Sequence, residues 1–151
     1  MEIDCQYDVV GGEEVKANPS MMCEMSEVFA SRMDDKAKVL QYISDDAMIC
    51  TMRHEGRLVG FSWVEFGDSA TEAELAWFAT RQGEMCALEG KGLLDYTLEK
   101  CKGMGAKVVR FNCFDQSWGR IQNRNRLMKR FGYKVLDDTQ DESGFDMSIE
   151  L

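Results

Sequence analysis

Glu74-Leu75-Ala76-Trp77-Phe78-Ala79-Thr80-Arg81-Gln82-Gly83-Glu84-Met85-Cys86-Ala87-Leu88-Glu89-Gly90-Lys91-Gly92 is the stretch on which the reading of this 151-residue chain turns. It opens as an apolar strand and runs into a segment punctuated by glycine. Leu94, Leu98 and Cys101 then share one face of a helix that closes near Gly105. Glycine lets a backbone approach a ligand closely, and the unpaired N–H groups that open a helix suit a phosphate. A short Gly-x-Gly also serves many strand-to-helix turns for steric reasons alone, so both readings stand at this point.

Outward from that stretch the period is that of a sheet. Ala47–His54 and Arg57–Phe66 form a hairpin about Glu55-Gly56, and Ala73–Thr80 adds the third strand of a meander. Upstream, Glu2–Val10 reads as a first strand ended by Gly11-Gly12. Asn18-Pro19-Ser20 is a helix start, because proline is tolerated in a first turn and Asn or Ser can cap it. Met21, Met25, Val28, Phe29 and Met33 follow at helical spacing, and Ala37, Leu40 and Ile43 mark a second helical piece. Downstream, Gly92–Met104 is a helix and Ala106–Phe114 a strand, placed centrally by its apolar content. A basic helix runs from Ser117 or Trp118 to Phe131, with Gly132 as its C′ residue. Tyr133–Leu136 and Gly144–Leu151 are the last strands; the final one, read as an edge, can pair with a second copy in a homodimer. Strand–helix–strand about Gly92 requires a parallel pair, whereas the hairpins are antiparallel. The expectation is a single α/β domain over residues 1–151, a mixed and mainly antiparallel central sheet flanked by helices.

Composition narrows the function classes. No apolar run is long enough for a membrane span, and the first residues, Met1-Glu2-Ile3-Asp4-Cys5, are acidic where an export signal is basic, so a cytoplasmic protein is expected. Six scattered cysteines without a Cys-x-x-Cys, beside the single His54, do not suggest zinc; reduced, structural thiols do the explaining. His54, near a hairpin turn, invites a catalytic reading, and a solvent-facing turn residue is the plainer account. The net charge of −9 opposes general affinity for nucleic acid or anionic membrane. Arg120, Arg124, Arg126, Lys129 and Arg130 nevertheless fall within eleven residues that hold no acid. Those five leave 13 basic against 27 acidic residues elsewhere in the chain. A basic helix on an acidic body suits an anionic cofactor and a cationic substrate; a solvated helix face is the plainer account.

This order of elements, with these motifs in these places, resembles the GNAT superfamily of N-acetyltransferases over nearly the whole chain. The family's phosphate loop, Gln/Arg-x-x-Gly-x-Gly/Ala before a helix, can be laid on the chain in two registers, neither a full match. One sets Met85, Leu88 and Gly90 at the defining positions, the other Ala87, Gly90 and Gly92. Leu127-Met128-Lys129-Arg130-Phe131-Gly132-Tyr133 matches the family's late helix running into the next strand.

The resemblance implies acetyl-CoA as co-substrate. Backbone amides of Ala79 and Thr80 would hold the pantetheine arm like an added strand. Those of Ala87, Leu88, Glu89, Gly90 and Lys91 would hold the pyrophosphate, and Asn123 and Arg124 would reach the pantetheine or the 3′-phosphate. Glu74, with Glu72 as rival two residues away on the same strand face, would accept the proton of an attacking amine through water. The acceptor would be an amine-bearing small molecule or peptide such as a polyamine, an aminosugar or a lysine-rich segment. One departure matters. Met128 stands where many active members have the tyrosine that protonates the leaving thiolate, and a thioether donates no proton; Tyr133 and Tyr96 are the nearby titratable alternatives. The alternative is therefore a GNAT-fold binding or assembly module without catalysis, similar to small proteins encoded by some tailed phages. Trp77, Phe78 and Trp118 would then be partner anchors, where the plainer reading makes them core.

Overall fold

The structure, a computed structural model, describes residues 4–30, 36–67, 71–81, 87–111, 118–137 and 147–151. Its strands are β1 (Gln6–Gly11), β2 (Met48–His54), β3 (Arg57–Phe66), β4 (Glu72–Thr80), β5 (Val108–Phe111), β6 (Lys134–Asp137) and β7 (Met147–Glu150). They hydrogen-bond in the order β1-β2-β3-β4-β5-β7-β6. The helices are α1 (Gly12–Lys16), α2 (Pro19–Ala30), α3 (Ala87–Gly103) and α4 (Trp118–Arg130), with a 3₁₀ helix at Lys36–Tyr42. β4 and β5 run parallel, which demands the long crossover that α3 supplies, and the pairs β1–β2, β2–β3, β5–β7 and β6–β7 are antiparallel.

The chain forms two compact units. The first comprises Met1–Glu65 with Trp77–Thr97, the second Phe66–Ala76 with Leu98–Leu151. In the first unit β3 is buried from Leu58 to Val64, so both of its faces are covered. That is why the segment reads as a continuous apolar run rather than an alternation. Phe29 of α2 meets one face edge-on, 5.0 Å from Phe61 and 5.2 Å from Trp77 between ring centroids. On the other face the Ser62 and Thr97 hydroxyls share a 2.7 Å hydrogen bond, which seats α3. Thr97 in turn donates to the Leu93 carbonyl at 2.8 Å, so this buried polar pair is satisfied. Asn18 caps α2, its Oδ1 accepting the Met21 N–H at 3.1 Å with Pro19 in the first helical position.

In the second unit β5 alternates, while β7 is buried through Met147, Ser148 and Ile149. Val109, Phe111, Met147 and Ile149 are buried, while Glu72, Arg110, Glu150 and Lys134 mark the polar face, with salt bridges from Arg110 to Glu72 and from Lys134 to Glu150. Both crossover helices end in Schellman motifs. Ala106 N–H returns to the Cys101 carbonyl and Gly105 N–H to Lys102; Tyr133 N–H returns to Met128 and Gly132 N–H to Lys129. The C′ glycines, Gly105 and Gly132, have φ of 97° and 93°, a region that side chains with a β-carbon rarely adopt.

The first strand ends at Gly11-Gly12 as expected, and Gly12 also opens α1, packed so tightly that a β-carbon there would collide with the Ser44 carbonyl. Two expectations are corrected. Helix α3 starts at Ala87 rather than Gly92, which puts Gly90 and Gly92 inside the helix. The final strand is not an edge. β7 is hydrogen-bonded on both sides, to β5 and β6, because the chain returns between them, and the sheet's edges are β1 and β6. The assigned part of the final strand begins at Met147, and residues 144–146 lie outside the described residues, as do 112–114 of the expected central strand.

Helix α2 is tied to the sheet by charge. Arg53 of β2 grips Glu24 through Nη1 at 2.7 Å and Nη2 at 3.1 Å, and this hydrogen bonding holds the Glu24 carboxyl below the ordinary glutamate value. A lowered folded-state pKa gives stability that is present above the unfolded value and lost as pH falls through the folded one. Glu24→Gln is expected to lower the melting temperature at pH 7 by about 1–3 °C, the scale of a partly exposed pair. Melting curves between pH 3 and 8 should show the deficit narrowing as pH falls below about 5. A deficit unchanged at pH 3 would remove the ion pair as its source.

Candidate functional site

In the first unit the candidate site is built from the end of β4 and the start of α3. Ala79 and Thr80 are buried, and Gly60 of β3 faces them: a β-carbon on Gly60 would stand 3.1 Å from the Ala79 carbonyl and 3.2 Å from Thr80 Cγ2. Gly60 therefore lets the last residues of β4 lie close against β3. Arg81, the next residue, was not singled out by the sequence reading, yet it fixes where β4 ends. Its N–H donates to the Val59 carbonyl at 2.8 Å and its Nε to the Leu58 carbonyl at 2.8 Å; its Nη2 meets Glu27 of α2 at 3.2 Å. The sequence signal was only an arginine directly after an apolar strand; in the structure it is buried, which arginine almost never is without such partners.

The helix that follows after residues 82–86 begins at Ala87. A helix's first turn has no partner for its N–H groups within the helix, and here those groups include Ala87, Leu88 and Glu89. The macrodipole adds positive potential at that end. Gly90 presents an open flank: no described atom lies within 4 Å of a β-carbon built there. Lys91 lies further along, and its ammonium pairs with Asp95 at 2.7 Å on the same helix. Met85 lies outside the described residues, so the first register of the loop motif rests on Leu88 and Gly90 alone.

In the second unit Glu72 and Glu74 point to the same side of β4, as their spacing requires. Glu72 stands opposite Val108 of β5 and Glu74 opposite Arg110. Arg110 Nη2 donates to Glu72 at 3.3 Å, while its Nε is buried without a hydrogen-bond acceptor among the described residues. Glu74 is exposed. The arginine holds Glu72 in an ion pair. On α4, Asn123 is exposed, whereas Arg124 folds back: its Nε and Nη2 donate to Asn125 Oδ1 at 2.9 and 2.7 Å, and its guanidinium carbon lies 5.2 Å from the Phe111 ring centroid. Met128 is half-buried at the helix end, its carbonyl tied into the Schellman motif.

The remaining candidates fall elsewhere. His54 Nδ1 lies 3.1 Å from the Asp4 carbonyl on the exposed side of the β2–β3 hairpin. Tyr96 stacks on Tyr7. Trp77 packs on Phe29, and the Trp118 side chain lies outside the described residues. Cys50 and Cys101 are buried, and Cys23 is exposed. Among the described residues no helix is long and apolar enough to cross a membrane.

No family model matches the sequence, and no curated protein matches it either. Solved structures do. A GNAT-family protein from Desulfovibrio desulfuricans superposes with a TM-score of 0.71 at 13% identity, covering 98% of each chain. PaiA N-acetyltransferase from Thermoplasma acidophilum, solved in complex with coenzyme A, gives 0.64 at 16% identity over 98% of this chain and 99% of that one. Aminoglycoside 6′-N-acetyltransferase from Enterococcus faecium gives 0.66 at 12% identity over 95% and 93%. The chain has the GNAT fold.

The Arg81 clamp carries a stability prediction. Arg81→Met strips a nearly buried carbonyl of its donor and is expected to cost about 2 kcal/mol in urea unfolding. Arg81→Lys keeps the charge but not the planar fork and should recover only part of that loss. Full recovery by lysine would show that charge, rather than the Nε–H bond to Leu58, holds the strand end.

Proposed function

We propose that the chain is an acyl-CoA N-acyltransferase that moves an acetyl group from acetyl-CoA to the amine of a small cationic molecule or a protein. The observation that carries this reading is the shared fold with N-acetyltransferases across at least nine-tenths of either chain, one of them holding coenzyme A. The residues of this chain are suited to the task. Ala79 and Thr80 would offer backbone groups to the pantetheine arm, in the manner of an added strand. The amides of Ala87, Leu88 and Glu89 would receive the pyrophosphate, with Gly90 leaving room for it and Lys91 adding charge beside them. Asn123 and Arg124 are assigned to the distal end of the cofactor by their place in the family's late helix, Asn123 as an exposed donor and Arg124 as the charge behind it.

Glu74 would take the proton of the attacking amine through water. Glu72, which Arg110 holds in an ion pair, is its rival on the same strand face. The chain's acidic balance favours a cationic acceptor in a cytoplasmic setting. Lacking a tyrosine at Met128, the enzyme would release CoA thiolate without a dedicated acid. General acid help is worth about 10²–10⁴-fold, so turnover would be slow rather than absent. A second reading, a module that binds through this fold without turnover, is favoured by that same Met128.

Calorimetric titration with acetyl-CoA is the decisive measurement. One-to-one binding is expected, with a stability gain of about 2.7 kcal/mol at one hundred times the Kd. No heat at millimolar cofactor would overturn the acyltransferase reading. In an amine-acceptor assay Glu74→Gln should lower kcat about a hundredfold or more while leaving cofactor affinity intact, and Glu72→Gln should do far less. Unchanged turnover in Glu74→Gln would remove that residue from the mechanism.

A further inference from the structure

The two glycines of Gly90-Lys91-Gly92 have different surroundings. Where Gly90 is open, a β-carbon on Gly92 would fall inside contact distance of the Tyr7 hydroxyl oxygen and 3.4 Å from Tyr7 Cζ. Tyr7 comes from β1, far away in sequence. Its ring stacks on Tyr96, with centroids 5.3 Å apart and planes 21° from parallel. Gly92 and Tyr96 are four residues apart and therefore lie one above the other on a single face of α3. The phenol thus lies along that row, its ring over Tyr96 and its tip over Gly92. It points toward the helix start, where Leu88 is the next position of the same row.

Helix propensity alone argues against glycine at position 92, since alanine would strengthen the helix there. The slot is explained by what fills it. Backbone donors serve a bound anion only if they are aimed to within about 0.5 Å, and such aim comes from side chains packed behind them. We infer that Tyr7 is a positioning residue of the cofactor site: seated in the Gly92 slot and stacked on Tyr96, it sets the pose of the first turn of α3, whose amides hold the pyrophosphate. This inference rests on the acyl-CoA reading above. It gives Gly92 a role distinct from phosphate contact, and it gives the edge strand β1 a part in cofactor binding.

The test is a double-mutant cycle on the full chain, read as the Kd for CoA by calorimetry well below each variant's melting temperature. Gly92→Ala must push the phenol aside and is expected to weaken CoA binding roughly tenfold, the scale of coupling between residues in contact. Tyr7→Phe alone keeps the stack but gives up the seat in the Gly92 slot, and should weaken CoA binding by less than Gly92→Ala does. Added to Gly92→Ala, it removes the colliding oxygen and should restore most of the lost affinity. Should Gly92→Ala fail to fold, Tyr7→Ala serves instead, with CoA binding weakened further than in Tyr7→Phe because the stack is lost as well. Ile149→Val, a core change in the other unit, controls for stability: its melting temperature should fall with its Kd unmoved.

Wild-type affinity in both Gly92→Ala and Tyr7→Ala would overturn the positioning role and leave the acyltransferase reading standing. Failure of Tyr7→Phe to rescue Gly92→Ala would also overturn it. A wild-type protein that binds no CoA would overturn both.

Discussion

The end of β4 depends on one buried arginine. A strand that must stop, and hand over to a loop leading to a helix, has no hydrogen-bond ladder to hold its last residue. Arg81 supplies the missing constraint with its main-chain N–H and its Nε on successive carbonyls of β3, and with its outer nitrogen on Glu27. The bonds to neutral carbonyls in a dry setting matter most, because Glu27 is largely exposed and its attraction is screened. A guanidinium suits the task since its donors are planar and fixed, so little freedom is lost per bond made. With Arg81 in place, Ala79 and Thr80 lie against Gly60, and the chain leaves β4 in one direction.

Much of this was legible beforehand, and the reasons are local. The hairpin over β2 and β3, the cap at Asn18-Pro19 and the stop at Gly132 are written in residues close in sequence, where turn and cap chemistry allows few alternatives. The resemblance carried by Leu127–Tyr133 and by the strand–loop–helix order led to the right fold although no family model matches. What escaped was non-local. The return of β7 between β5 and β6 depends on which strands pair, and alternation within Met147–Glu150 says nothing about that. The start of α3 was set five residues late because glycine was read as a helix boundary, whereas Gly92 is accommodated inside the helix by a tyrosine some eighty-five positions away. Arg81 was passed over for a similar reason: its partners, Leu58, Val59 and Glu27, are distant in the chain.

The two carboxylates of β4 show how a neighbouring strand can divide apparently equal residues. Period two puts Glu72 and Glu74 on one face, and sequence alone ranks them only by analogy. The parallel register sets Arg110 across from Glu74, yet the guanidinium reaches back to Glu72. Glu72 thereby joins a charge pair on the polar face of the second unit. Arg124 undergoes a comparable assignment, since stacking over Phe111 and the double hydrogen bond to Asn125 draw its charge toward β5 and away from the exposed side that Asn123 and Arg126 share.

The parallel register of β4 with β5 also bears on how the chain acquires its shape. β2 and β3 meet across the short turn at Glu55-Gly56, which closes on the microsecond scale of hairpins. Glu72–Glu74 can reach Val108–Arg110 only by closing a loop of about thirty residues, at an added entropic cost of roughly 2 kcal/mol relative to a two-residue turn. The hairpin therefore nucleates cheaply, and the junction from which the crossover springs is assembled against a larger barrier.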